Sequence, residues 1–102
     1  DILKKYPFLR RMIEIIKKNE KINLAILFGS YAKGIANKNS DIDVYIDTRD
    51  KKIKEEVELI DSKISLKIGD YDKDSLLIKE IEKDHVIIKG VELFYEKNRF
   101  FD

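Results

Sequence analysis

Cysteine is absent from the 102 residues, which excludes a disulfide framework, a thiolate metal site and a cysteine nucleophile. No apolar run is long enough to cross a bilayer and no stretch reads as a signal peptide, so no membrane partner is expected and the cytoplasm is the expected compartment. Charge of one sign is not in excess. The 21 Lys and Arg against 20 Asp and Glu leave +1, and this balance gives no whole-molecule basic field and no strong nucleic-acid signal. Proline occurs once, at Pro7, and histidine once, at His85. Internal repeats, low-complexity tracts and linkers are missing, and the length suits one domain spanning 1–102. What is present is a core-building 43% of hydrophobic residues beside 40% charged ones. The heavy use of Lys, Glu and Ile resembles a thermophile's surface or the bias of an AT-rich genome.

The pattern along the chain predicts alternating helices and strands. Tyr6-Pro7-Phe8 opens a first helix, where proline's missing N–H costs nothing. Leu9, Met12, Ile13 and Ile16 follow at helical spacing, and Lys17, Lys18 and Lys21 complement the dipole at its end. The apolar run from Asn23 to Phe28 predicts a central strand buried on both faces. A brief helix spans Tyr31 to Ile35, and Ala36-Asn37-Lys38-Asn39-Ser40 is turn chemistry. A second strand, Asp41 to Asp47, sends Ile42, Val44 and Ile46 one way and Asp41, Asp43, Tyr45 and Asp47 the other. A helix capped by Thr48 or Asp50 runs to about Ser62, and a third strand, Lys63 to Ile68, points Ser65 and Lys67 outward. The last helix, starting at Asp72 or Asp74, carries Leu77, Ile81, His85 and Ile88 on one stripe to Gly90. Val86-Ile87-Ile88 could instead be a strand, and Val91 to Tyr95 could form an edge strand. The expected fold is α/β: a small mixed sheet with all helices on its apolar face.

The chemistry concentrates in Phe28-Gly29-Ser30-Tyr31-Ala32-Lys33-Gly34 and Ser40-Asp41-Ile42-Asp43. Residues two apart in a strand share a face, so Asp41 and Asp43 project together. Paired carboxylates suit a hard, oxygen-loving cation such as Mg²⁺. A Gly-Ser turn at a helix start suits phosphate, because free N–H groups and the helix dipole meet there. Together they describe a site for a metal-bound nucleoside triphosphate. The bland alternatives are an Asp-x-Asp pair on a solvated strand, Lys33 as a solvent-facing lysine, His85 as a packed stripe residue, and Asp47 as a strand end.

Gly29-Ser30, ten residues, Asp41, one residue, Asp43 resembles the signature of the DNA polymerase β-type nucleotidyltransferase superfamily. The fuller Gly-Ser-Tyr-Ala-Lys-Gly with Ser-Asp-Ile-Asp is similar to the minimal nucleotidyltransferases, which are often type VII antitoxin partners of HEPN-domain ribonuclease toxins. The resemblance extends to the tail Ile87-Ile88-Lys89-Gly90-Val91-Glu92-Leu93-Phe94-Tyr95. It implies a polymerase β-like fold. It gives Gly29 close approach to the triphosphate, and gives Ser30, Ser40 and Lys33 phosphate or nucleotide contacts. It makes Asp41 and Asp43 the catalytic pair and the Mg²⁺ ligands. The implied reaction transfers AMP from Mg-ATP to a tyrosine hydroxyl of the toxin.

One position departs from the family pattern. A third acidic residue is usual on the next strand, and alternation puts Ser65 there, with Lys67 beside it. Asp61, Asp70 or Asp72 would compensate if the register differed. The competing implication is a catalytically weak or inactive nucleotide-binding antitoxin that neutralises its toxin by covering it. A third reading, transfer to a small molecule or an RNA end, would require room for a substrate-binding domain. Phe94, Tyr95, Phe100 and Phe101 crowd the C-terminus. They are expected either to fold back on the first helix or to mark a partner or oligomer surface.

Overall fold

Pro7 decides how the chain begins. It cannot donate to a carbonyl one turn back, so the helix predicted to open at Tyr6 begins as a 3₁₀ turn, and a short helix that was not predicted precedes it. Helix α1 (Ile2–Lys5) is followed by a 3₁₀ turn (Pro7–Leu9) and then α2 (Arg10–Lys18). The computed structural model describes residues 2–97. Leu9, Met12, Ile13 and Ile16 are buried as their spacing predicts. The chain continues through β1 (Ala25–Phe28), α3 (Gly29–Lys33), β2 (Ile42–Asp47), α4 (Lys51–Glu58), β3 (Ile64–Gly69), α5 (Leu76–Lys83), β4 (His85–Lys89) and α6 (Val91–Lys97). Asp50 caps α4, its side chain accepting from the Lys52 N–H. Ser75, rather than Asp72 or Asp74, caps α5 by accepting from the Ile78 N–H.

The four strands form one mixed sheet in the order β3-β2-β1-β4. Strand β1 is antiparallel to β2 and β4, and β2 is parallel to β3. Here the stripe predicted through His85 and Ile88 is corrected. Helix α5 stops at Lys83, and the β-branched Val86-Ile87-Ile88 pairs with β1, in keeping with the poor helix and good strand propensity of such residues. With β4 holding that edge, Val91 to Tyr95 is helical rather than an edge strand.

The expectation of helices on one face is also corrected. Residues alternate across β1, so Ala25 and Leu27 enter one core with Met12, Ile16, Ile53 and Val57. Ile26 and Phe28 enter a second core with Tyr45, Ile78, Ile81 and Phe94. A central strand that is apolar on both faces needs cover on both, and α5 and α6 supply it opposite the N-terminal helices and α4. Phe94 therefore packs on Tyr71 and His85, with ring centroids 5.9 and 4.8 Å away, and not on the first helix. Tyr95 is 64% exposed, while Phe100 and Phe101 lie outside the described residues. Between β4 and α6, Gly90 has φ +87°, and a Cβ there would overlap the Asn23 carbonyl oxygen. Among the described residues, no helix is long and apolar enough to cross a membrane.

Candidate functional site

The register aligns Ser65 on β3, Asp43 on β2, Phe28 on β1 and His85 on β4 in one row across the sheet. Paired residues point to the same face, so the row lies on the face that α5 and α6 cover. One residue pair further along, Tyr45 is fully buried, and its hydroxyl donates to the Gly69 carbonyl at 2.8 Å. The phenol is pushed well above its ordinary range, first by burial and then by Asp47 and its neighbours. The outward face predicted for β2 is therefore open only towards Asp43. Asp47, at the far end, pairs with Lys97 at 3.3 Å.

Asp43 is half-buried, and its carboxyl is raised above the ordinary aspartate value. Desolvation is the leading cause and repulsion from Asp41 the next; Lys67 opposes the shift and Glu80 adds to it. Asp41 is exposed and lies just before β2, which begins one residue later than the predicted strand, at Ile42. Gly29 has φ +71°, and the space its Cβ would take is filled by the Asp43 carboxylate. This supplies a reason for glycine at position 29 beyond the one expected: the turn and the aspartate are fitted to each other.

Ser30 lies in the first turn of α3, where its carbonyl accepts from the Gly34 and Ile35 N–H groups. Ser40 closes the loop before β2, its hydroxyl accepting from the Asn37 N–H at 3.0 Å and its own N–H donating to the Asn37 carbonyl. Lys33 is exposed at the end of α3 and lines a cleft with Ile2, Lys5 and Val86. Gly29 and Asp43 are thus brought into contact, and Asp41 is placed within electrostatic reach of Asp43.

Ser65 does stand beside Asp43, as the alternation predicts. The three aspartates weighed as substitutes serve elsewhere. Asp61 accepts from the Lys63 N–H and faces Arg11 and Met12, Asp70 pairs with Arg49, and Asp72 accepts from the Asp74 N–H. Arg49 holds the Asp70 carboxyl below its ordinary value. The further acidic group that acts on Asp43 is Glu80, which sequence reasoning missed. Helix α5 runs back from the end of β3 to reach β4 at His85, whose Nδ1 donates to the Ile81 carbonyl at 2.9 Å. This brings the last turn of α5 level with the row containing Asp43. A helical periodicity that marks Glu80 as solvent-facing holds no signal for this.

The donor set can be tested against Mg²⁺. Two carboxylates that repel each other, one of them partly desolvated, gain from a cation between them. Mg²⁺ is commonly held by one or two carboxylates together with substrate phosphates. Among the described residues no group of three or more His, Cys, Asp or Glu side chains could hold a metal. The pair therefore fits an ion that arrives with a triphosphate, not one caged by protein alone.

Comparison with known proteins bears on the family and the fold. A family model described as polymerase beta, nucleotidyltransferase, matches residues 10–99. A search of curated proteins found no match. Among solved structures, a toxin–antitoxin crystal structure with AMP-PNP is 20% identical, with TM-score 0.56, covering 86% of this chain and 75% of that one. A mutant of the toxin–antitoxin MntA-HpeT is 20% identical, with TM-score 0.53, covering 94% of this chain and 78% of that one.

Proposed function

The chain belongs to the polymerase β nucleotidyltransferase family, and on that premise we propose that it transfers AMP from Mg-ATP to a tyrosine hydroxyl of a HEPN-domain toxin, acting as its antitoxin. The observation that carries this reading is the fit of Asp43 against Gly29, with Asp41 beside it. The sequence motif and the fold there converge on one spot. The toxin–antitoxin character of the two structural neighbours supports the choice of partner, and the AMP-PNP in one of them supports the choice of donor.

In the proposed reaction the acceptor oxygen attacks the α-phosphorus. The bond from that phosphorus to the bridging oxygen breaks, and pyrophosphate leaves with the electron pair. Asp41 and Asp43 would hold Mg²⁺, which when bound neutralises charge on the phosphate oxygens. Ser30 donates its hydroxyl and N–H to a phosphate, and Lys33 adds positive charge near it. The acceptor proton passes to a carboxylate at the mouth of the site. Ser65, a poor metal ligand beside Asp43, favours a second reading in which the protein binds nucleotide and covers the toxin without transferring anything.

Labelled ATP, Mg²⁺, this protein and the product of its neighbouring gene separate the two. Label on the neighbour, lost by roughly 100-fold or more in Asp43→Asn, is the result expected of an enzyme. A tight complex without label identifies the binding protein. No complex and no label would rule out both.

A further inference from the structure

The near-neutral total charge conceals a division along the chain. Residues 1–40 carry nine basic and three acidic side chains, a balance of +6, and the remainder carries twelve and seventeen, a balance of −5. The fold gathers part of the basic excess around the loop from Gly34 to Ser40. Lys5 donates to the Gly34 carbonyl, and Lys63 reaches across to the Lys38 carbonyl.

Three adjoining depressions surround this loop and the N-terminal segment, with volumes of about 140, 290 and 500 Å³. Phe8 is a wall of the first two, and Tyr31 of the second and third. Lys5, Lys33, Lys38, Lys63 and Arg11 line them, and Asp61 is the one carboxylate among their lining residues. At the centre Phe8 is 56% exposed, its ring standing edge-on to Tyr6 and Tyr31 at 6.3 and 5.9 Å. The two tyrosines are buried and hold that ring in place from beneath. Tyr6 is itself fixed by accepting from the Ala36 N–H at 3.1 Å.

A rigidly supported aromatic ring left open to solvent, with cations on both sides, is the arrangement that receives single-stranded nucleic acid. Phosphates take the cations and a base stacks on the ring. An acidic protein surface would also use the cations, but a nucleic-acid strand uses cations and ring together along one path. We infer that this trough binds single-stranded nucleic acid. It lies on the side of the sheet carrying the N-terminal helices, opposite the row that holds Asp43, and of the residues given a part in transfer it is lined by Lys33 alone, which the variants below leave in place. Its nearer end reaches Ile42, the residue between Asp41 and Asp43.

The test is binding of a fluorescein-labelled ten-nucleotide oligouridylate to the full chain across a range of salt. Saturable binding is expected to weaken with salt, with a slope near −0.7 for each phosphate neutralised. Combining Arg11→Ala with Lys38→Ala should flatten that slope by about 1.4. Phe8→Ala should weaken binding roughly tenfold and Phe8→Tyr should restore it, which separates stacking from charge. Asp43→Asn should leave binding unchanged whether or not transfer occurs. Absence of saturable binding at low salt would overturn the inference. So would equal competition by polyglutamate with no effect of Phe8→Ala, which would assign the trough to an acidic protein instead.

Discussion

The two faces of the sheet are built differently. On the face covered by the N-terminal helices and α4, the core is mainly aliphatic, with Ile16, Leu27, Val44, Ile46, Ile53 and Leu66 all closed off from solvent. On the other, α5 and α6 cover Ile26, Phe28 and Tyr45 with a smaller, more aromatic cluster, and the row containing Ser65 and Asp43 lies at its margin. The first face supplies stability. The second supplies enough cover to hold β1 and β2 in register while leaving one carboxylate half-desolvated. A site needs this incompleteness: full burial would neutralise Asp43, and full exposure would leave it an ordinary solvated aspartate.

This contrast can be broken by removing one buried side chain from each face. Ile16→Ala and Ile81→Ala should each cost about 2–5 kcal/mol in denaturant unfolding. Only Ile81→Ala should also depress nucleotidyl transfer measured well below its unfolding midpoint, because Ile81 packs in the cluster that covers the Asp43 face of the sheet. Equal transfer in the two variants would show that α5 serves packing alone.

Gly29→Ala joins stability and site. The positive φ costs about 1–2 kcal/mol for an alanine, and the added methyl must displace the Asp43 carboxylate. Transfer should fall further than the loss of folded protein explains, and calorimetry beside an activity assay would resolve the two effects.

Smaller changes address the acidic groups around Asp43. Ser65→Asp should raise transfer by adding a carboxylate beside Asp43 on the neighbouring strand. Glu80→Gln removes one of the charges that raise the Asp43 carboxyl. It should shift the acid limb of the transfer profile to lower pH. An unshifted limb would place Glu80 outside the electrostatics that matter.

The smallest expected effect is on stability against pH. A raised carboxyl means that the folded chain holds the Asp43 proton more tightly than the unfolded chain does. At pH below the ordinary aspartate value both states are protonated and nothing is lost. As pH rises from there through the raised value, the unfolded state releases its proton first, and folding loses stability. With Mg²⁺ removed by chelation, Asp43→Asn should therefore melt above the parent at neutral pH. The gap should close in acid and narrow when Mg²⁺ is restored. Identical melting curves at neutral pH would mean that Asp43 carries no such penalty.

Much of this was readable from residue order. The alternation of β2 and β3 was enough to set Ser65 beside Asp43, and the spacing from Gly29-Ser30 to Asp41 and Asp43 located the candidate site. Tyr45 shows where that reading stopped. Its place in the alternation put it with the aspartates on an outward face, but whether that face meets water depends on α5 and α6, which follow much later in the chain. For Val86-Ile87-Ile88 residue order left both a helical stripe and a strand open, and pairing with β1 decided for the strand.

The sequence by itself determined the period of most elements, the glycine turn that follows β1, and the lack of a carboxylate on β3. These are local properties, set by backbone sterics and by side chains a few residues apart. Only the tertiary structure decided that helices cover both faces, that Glu80 acts on Asp43, and that a balanced chain carries a basic trough around Phe8. Burial and electrostatic potential depend on distances in space between residues remote in sequence, and a net charge of +1 holds no record of where the charges lie.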